Sequence, residues 1–204
     1  MRTLKRAPGS ADGRVRRSEK SREAIADAMF ELVGEGVLQP TAQQVAERAG
    51  VGIRSVFRHF DDMEGLFAAV DARLRSEAIP LLREIEPEGA LERRAGDLVE
   101  RRVRLFERIA PYKRSANLAR ARSPFLRARH GALVRELREN LLRWLPELER
   151  APTDLVEALD LATSFEAWDR LRSDQRLSRE RAQVALERIV LALVDDLVTG
   201  RRRR

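Results

Sequence analysis

The chain has 204 residues, 43% of them hydrophobic and 36% charged, with two histidines, no cysteine and a net charge of +7. That length suits one or two domains with a sizeable core. The absence of thiols excludes disulfides, thiolate chemistry and cysteine metal sites, and no stretch approaches the roughly 18 uninterrupted apolar residues of a membrane span.

The basic N-terminus is not followed by a signal-type apolar segment, so a soluble cytoplasmic protein is expected. The charge is uneven: residues 1–22 carry +6, the tail 201–204 carries +4, and the rest sums to −3. A basic arm on a mildly acidic body fits a polyanion bound at one end of the molecule, the bland alternative being an arm that only solubilises.

Residues 1–17 hold Pro8, Gly9, Ser10 and Gly13 among the charges and lack apolar periodicity, which predicts a disordered basic arm. From Ser18, a capping residue, Ile25, Ala28, Met29, Leu32 and Val33 fall at helical spacing until Gly34 and Gly36 stop the helix. A short helix follows from Pro40-Thr41 to about Ala49, then a turn at Gly50-Val51-Gly52 and a second short helix over 53–59. Asp62 caps the next helix, with Leu66, Phe67, Val70 and Leu74 inward. Pro80 kinks or breaks it, lacking an amide proton and colliding with the preceding turn.

Further helices are predicted over 91–109, 111–122, 124–145, 153–172 and 178–199, with Pro111 and Pro124 in first turns, where a missing amide costs nothing. No alternating strand pattern appears, so the fold class is all-α. The last two helices are apolar beyond a single stripe: 189–194 is continuously apolar, and Leu155, Leu159, Ala162, Phe165 and Trp168 broaden the face before it. Two helices that each need two partners predict a homodimer through an intermolecular four-helix bundle, or else burial of both in the centre of a monomer.

Residues 41–60 fit a helix-turn-helix. Ala46 is small where two helices cross, Gly50 allows a tight turn, and Val45, Val51, Val56 and Phe60 clamp the second helix onto the first. This leaves Gly52, Ile53, Arg54, Ser55, Phe57, Arg58 and His59 to face outward or shape a surface. Insertion into a DNA major groove explains such a set better than packing does. Phe57 also fits a half-buried contact with the first helix, and His59 also fits a helix cap.

Residues 18–67 resemble the DNA-binding domain of the tetracycline-repressor (TetR) family. The resemblance lies in the first helix ending at Gly34-Glu35-Gly36, in Thr41, Val45-Ala46 and Ala49-Gly50-Val51, and in Val56-Phe57-Arg58-His59-Phe60 before an acidic cap and Leu66-Phe67. It implies a three-helix DNA-binding domain over 18–61 and a divergent effector-binding and dimerisation domain over 62–200. By the same resemblance Thr41 contacts a phosphate, Gly52, Ile53, Arg54, Ser55 and Phe57 contact bases or adjacent backbone, and Arg58 and His59 contact phosphates. Where many members have a phosphate-gripping lysine at the start of the fourth helix, this chain has Met63. The basic arm, with Arg16 and Arg17 nearest the domain, is a candidate to compensate along the backbone or in the minor groove.

The implied function is a transcription regulator, a repressor released from a near-palindromic operator by a small molecule, with no cofactor and no metal. Phe106, Tyr112, Asn117, Trp144, Phe165 and Trp168 are the large or polar residues able to line an effector cavity, with ordinary core packing as the alternative for each. A nucleoid-type protein binding DNA without sequence preference is the rival reading. An enzyme is not expected, since neither a glycine-rich phosphate loop nor an HExxH or GxSxG motif is present.

Overall fold

The computed structural model describes residues 9–60, 63–83 and 86–202. Among them lie nine α-helices and no strand: α1 Gly9–Gly34, α2 Ala42–Ala49, α3 Ile53–His59, α4 Met63–Arg83, α5 Leu91–Ala119, α6 Pro124–Trp144, α7 Thr153–Ala162, α8 Phe165–Asp169 and α9 Arg179–Arg202. Short 3-10 turns follow α5 and α6, and a π-helical turn, Arg170–Asp174, follows α8. The all-α expectation holds.

The chain divides into two units. The first comprises α1, α2, α3, α4 up to Leu74, and Pro111–Leu126. Its core is built on the inward stripe of α1, where Ile25, Met29, Leu32 and Val33 repeat at helical spacing and are buried with Val45, Val56 and Leu66. Tyr112 joins this core and stacks on Phe30 with ring centroids 4.5 Å apart.

The second unit comprises Arg75–Ala110 and Arg127–Arg204. Its core draws on Leu98 and Phe106 of α5, Leu141 and Trp144 of α6, Leu159 of α7, and Phe165 and Trp168 of α8. The buried stripe of α9 is Ala182, Leu186, Val190, Val194 and Leu197. The steps of three and four residues keep these side chains on one face of the helix.

Several boundaries differ from the sequence reading, each for a local reason. The first helix begins at Gly9 rather than Ser18, because Ala11, Arg14, Arg16 and Arg17 are good helix formers that outlast two glycines. Residues 1–8 of the expected arm, the Asp62 cap and the end of the basic tail lie outside the described residues. Pro80 neither ends nor interrupts α4. Pro111 stands inside one continuous α5 instead of opening a new helix. A proline inside a helix costs about 3 kcal/mol, and here buried Ile109, Ala110 and Tyr112 flank it and hold the helix on both sides.

The helix expected over 153–172 is broken at Thr163-Ser164. Thr163 Oγ1 donates to the Leu159 carbonyl at 2.8 Å, and Ser164 Oγ accepts from the Ala167 amide at 3.2 Å, capping α8. Hydroxyl side chains that bond the backbone compete with the helical ladder and start a new helix in its place.

Candidate nucleic-acid interface

Helix α2 begins with a complete capping box. Thr41 Oγ1 accepts from the Gln44 amide at 3.2 Å, while Gln44 Oε1 accepts from the Thr41 amide at 2.9 Å. Gly50 ends the helix in the left-handed region at φ 64°, where a side chain would be strained. The Val51 amide then closes on the Ala46 carbonyl at 3.0 Å. This is the tight turn that the glycine implied.

Helix α3 follows, with Gly52 extended at its N-cap and the Gly52 carbonyl accepting from the Ser55 amide at 2.7 Å. Val56 and Phe60 are buried and fix its rotation, as their spacing predicted. The rotation turns Ile53, Arg54, Phe57 and Arg58 outward, one turn apart on adjoining rows of the helix surface. Phe57 is 60% exposed, so of its two readings the outward one is realised. Large apolar residues presented singly are ordinary, but an exposed Phe between two exposed arginines on a seven-residue helix is an adhesive surface without a partner in its own domain.

Polar contacts order the flank of this surface. Arg58 Nη2 reaches Ser55 Oγ at 3.4 Å and lies 3.5 Å from His59 Nε2. His59 is half-buried, and its pKa falls below the ordinary imidazole value because burial, then the Arg58 and Arg22 cations, disfavour a further positive charge. The Arg22 guanidinium stands over the Phe60 ring, 5.4 Å from its centroid. Arg22 was not singled out from the sequence, although its place three residues before Ile25 on α1 was a signal that it borders the buried stripe. Arg16 and Arg17 are exposed farther along α1.

Arg48 is neutralised within the domain. It donates to both carboxylate oxygens of Glu35 at 2.8 and 2.7 Å, with Glu31 at 3.6 Å. Met63 is the first residue of α4, as its alignment with the lysine position required.

Thr41 has two roles to separate. Thr41→Ala is expected to destabilise the domain by about 0.5–2 kcal/mol through loss of the cap, read from thermal melting, whereas Thr41→Ser keeps the hydroxyl and should melt like the parent.

The six residues expected to line an effector cavity are divided between the two units. Phe106 and Phe165 meet edge to face with centroids 5.6 Å apart, and buried Trp168 lies under the Arg172 guanidinium at 5.8 Å, all in the second unit. Trp144, also in that unit, borders a groove of about 580 Å³ with Arg101 5.4 Å from its ring centroid. Tyr112 and half-buried Asn117 belong instead to the first unit. A Cβ added at Gly34 would lie 2.9 Å from the Tyr112 hydroxyl oxygen, so that glycine makes room for the ring.

A small residue at the helix crossing, a left-handed glycine turn and a short second helix with an exposed cationic and aromatic face make a helix-turn-helix, the motif that many DNA-binding proteins lay in the major groove. Residues 24–70 match the family described as bacterial regulatory proteins, tetR family. Two solved structures share the fold. A transcriptional regulator from Rhodococcus sp. RHA1 is 22% identical, with 85% of this chain and 96% of that chain covered and a TM-score of 0.61. A TetR transcriptional regulator from the same organism is 23% identical, with 86% and 96% covered and a TM-score of 0.54. No curated protein matches the chain. The similarity to the tetR family thus lies in residues 24–70, and the two solved structures extend the likeness of fold over most of the chain. No helix among the described residues is long and apolar enough to cross a membrane.

Proposed function

We propose that this protein is a ligand-responsive repressor that binds a near-palindromic operator as a homodimer and leaves it when a small molecule occupies the second unit. The outward face of α3 carries the DNA-reading part of the proposal: Arg54, Phe57 and Arg58 are exposed while Val56 and Phe60 anchor the helix from below. Arg54 reads bases, since a bidentate arginine distinguishes guanine, and Thr41, Arg58 and His59 hold phosphates. Gly52, Ile53 and Ser55 complete the contact at the N-terminal end of α3, with Arg16 and Arg17 on the adjoining backbone.

Dimerisation falls to α7 and α9. Leu161 on α7 and Val184, Ile189 and Leu191 on α9 are large apolar residues left exposed in the single chain. A second copy bringing the same surface would cover them by two-fold symmetry. Such a dimer presents two copies of α3, and an operator read by it repeats its half-site in inverted orientation.

The deciding experiment is selection of bound duplexes from a random pool by the full chain. Enrichment of an inverted repeat supports the reading, and a pool that stays random after repeated rounds leaves a sequence-tolerant DNA binder instead. Release follows from linkage: a ligand that lowers operator affinity must itself bind less tightly, by the same factor, to the DNA-bound protein.

A further inference from the structure

The interior of the second unit contains a guanidinium with unmatched donors. Arg102, in the middle of α5, is 1% exposed, and its neighbours one turn away on either side are Leu98, Val99, Leu105 and Phe106. Its Nη2 donates to the Leu137 carbonyl of α6, but Nε and Nη1 have no partner among the described residues. Burial pushes its pKa down to about 9, opposed by the field of Asp160 on α7, so the group is still a cation at neutral pH. The Asp160 carboxylate is itself engaged, accepting from Arg138 Nη1 at 3.2 Å.

Another buried arginine of the same unit shows what satisfaction looks like. Arg94 donates to the Gly89 carbonyl at 3.2 Å, to the Trp144 carbonyl at 2.8 Å and to the Glu147 carboxylate. An arginine carried into a core without such a set is expensive, because the charge loses its water and gains nothing equivalent.

The same unit buries a second unmatched donor. Trp168 Nε1 is buried without a partner among the described residues. Phe106 stands one turn beyond Arg102 on α5 and packs edge to face on Phe165, which is one turn before Trp168. Neither a guanidinium nor an indole N–H can accept a hydrogen bond, so neither donor can satisfy the other.

We propose that the interior of the second unit takes a small carboxylate with an apolar body, its carboxylate held by Arg102. A carboxylate supplies acceptor oxygens to the unmatched donors and brings one negative charge, whereas a phosphate dianion would carry more charge into an apolar interior. The residues one turn from Arg102 on α5 are apolar and buried, so the remainder of the ligand must be apolar as well. The interior is packed around Arg102, so the ligand must part these helices to enter. A change of that kind is what allows it to bind one conformation of the protein better than another.

This inference rests on the reading of the second unit as the ligand-responsive part, and the test separates the two. Phenylacetate and octanoate would be titrated into the full chain against phenylacetamide and octanamide, their neutral counterparts, with thermal melting and tryptophan fluorescence as readouts. At least one carboxylate should raise Tm by several degrees and change fluorescence saturably, with its amide inert. Arg102→Met should remove that shift, yet melt no lower than the parent when free, because Asp160 keeps Arg138 as its partner. Amides that shift as much as carboxylates, a shift that survives in Arg102→Met, or no response to either carboxylate overturns the proposal. Operator release by a neutral compound from Arg102→Met would refute the anchor while sparing the ligand-released repressor. A carboxylate that binds through Arg102 and leaves operator affinity unchanged would do the reverse.

Discussion

An arginine placed at Ile189 or Leu191 is expected to leave the subunit folded and to abolish tight operator binding. Both side chains sit outside the buried stripe of α9, at 47% and 39% exposure, so a charge there meets water in the single chain. Substitutions at such positions usually change stability by no more than about 0.5 kcal/mol. In the proposed dimer the same charge is buried without a partner, and symmetry places it there twice. Leaving one charge unpaired in an interface costs about 2–5 kcal/mol.

Loss of the dimer then removes the benefit of binding two half-sites at once, which is worth about 10²–10⁴ in affinity. Val190→Arg is the informative contrast, since Val190 is fully buried within its own unit and the variant should fail to fold. Sedimentation and operator titration of the four proteins decide the matter. A parent chain that sediments as a monomer at concentrations that saturate the operator refutes the α7 and α9 interface.

The parts of this molecule that could be read from sequence are those where one residue type answers one local demand. Thr41 with Gln44 three residues later specifies a capping box, and the box is present. Gly50 after Ala49 specifies a left-handed turn, and φ is 64°. Of the clamp residues, Val45, Val56 and Phe60 are buried and Val51 is half-buried.

What could not be read depends on packing between distant segments. Pro111 has two local outcomes, a helix start or a helix interior, and burial of residues on both sides selects the second. Thr163 and Ser164 look unremarkable inside an apolar run until their hydroxyls turn on the backbone. Tyr112 and Asn117 share with Phe106 the size or polarity that suits a cavity lining, yet α5 contributes to two units and they belong to the other one. Arg102 was overlooked among the many arginines of α5, although apolar residues at three and four positions on both sides marked the inward face.

Arg54 and Arg58 are expected to fail differently when removed, and the difference is the sharpest test of how α3 meets DNA. Arg54 is exposed and has no partner among the described residues, so its guanidinium is available for a base edge. Arg58 leans back toward Ser55 and His59, a posture suited to a phosphate beside the helix. Arg54→Ala should cost about 1–3 kcal/mol per half-site and relax base preference at one symmetric pair of operator positions. Arg58→Ala should weaken all sequences about equally and lower the salt slope by about one counterion per half-site.

Arg54→Lys is the further control, because a lysine keeps the charge but loses the planar fork and cannot restore the guanine preference. The measurement is operator affinity at several salt concentrations, for the selected sequence and for versions altered one symmetric pair at a time. If Arg54→Ala weakens every sequence alike, Arg54 is another phosphate contact. Base reading then passes to the apolar edge formed by Ile53 and Phe57, where contact with thymine methyl groups would be the mechanism to test.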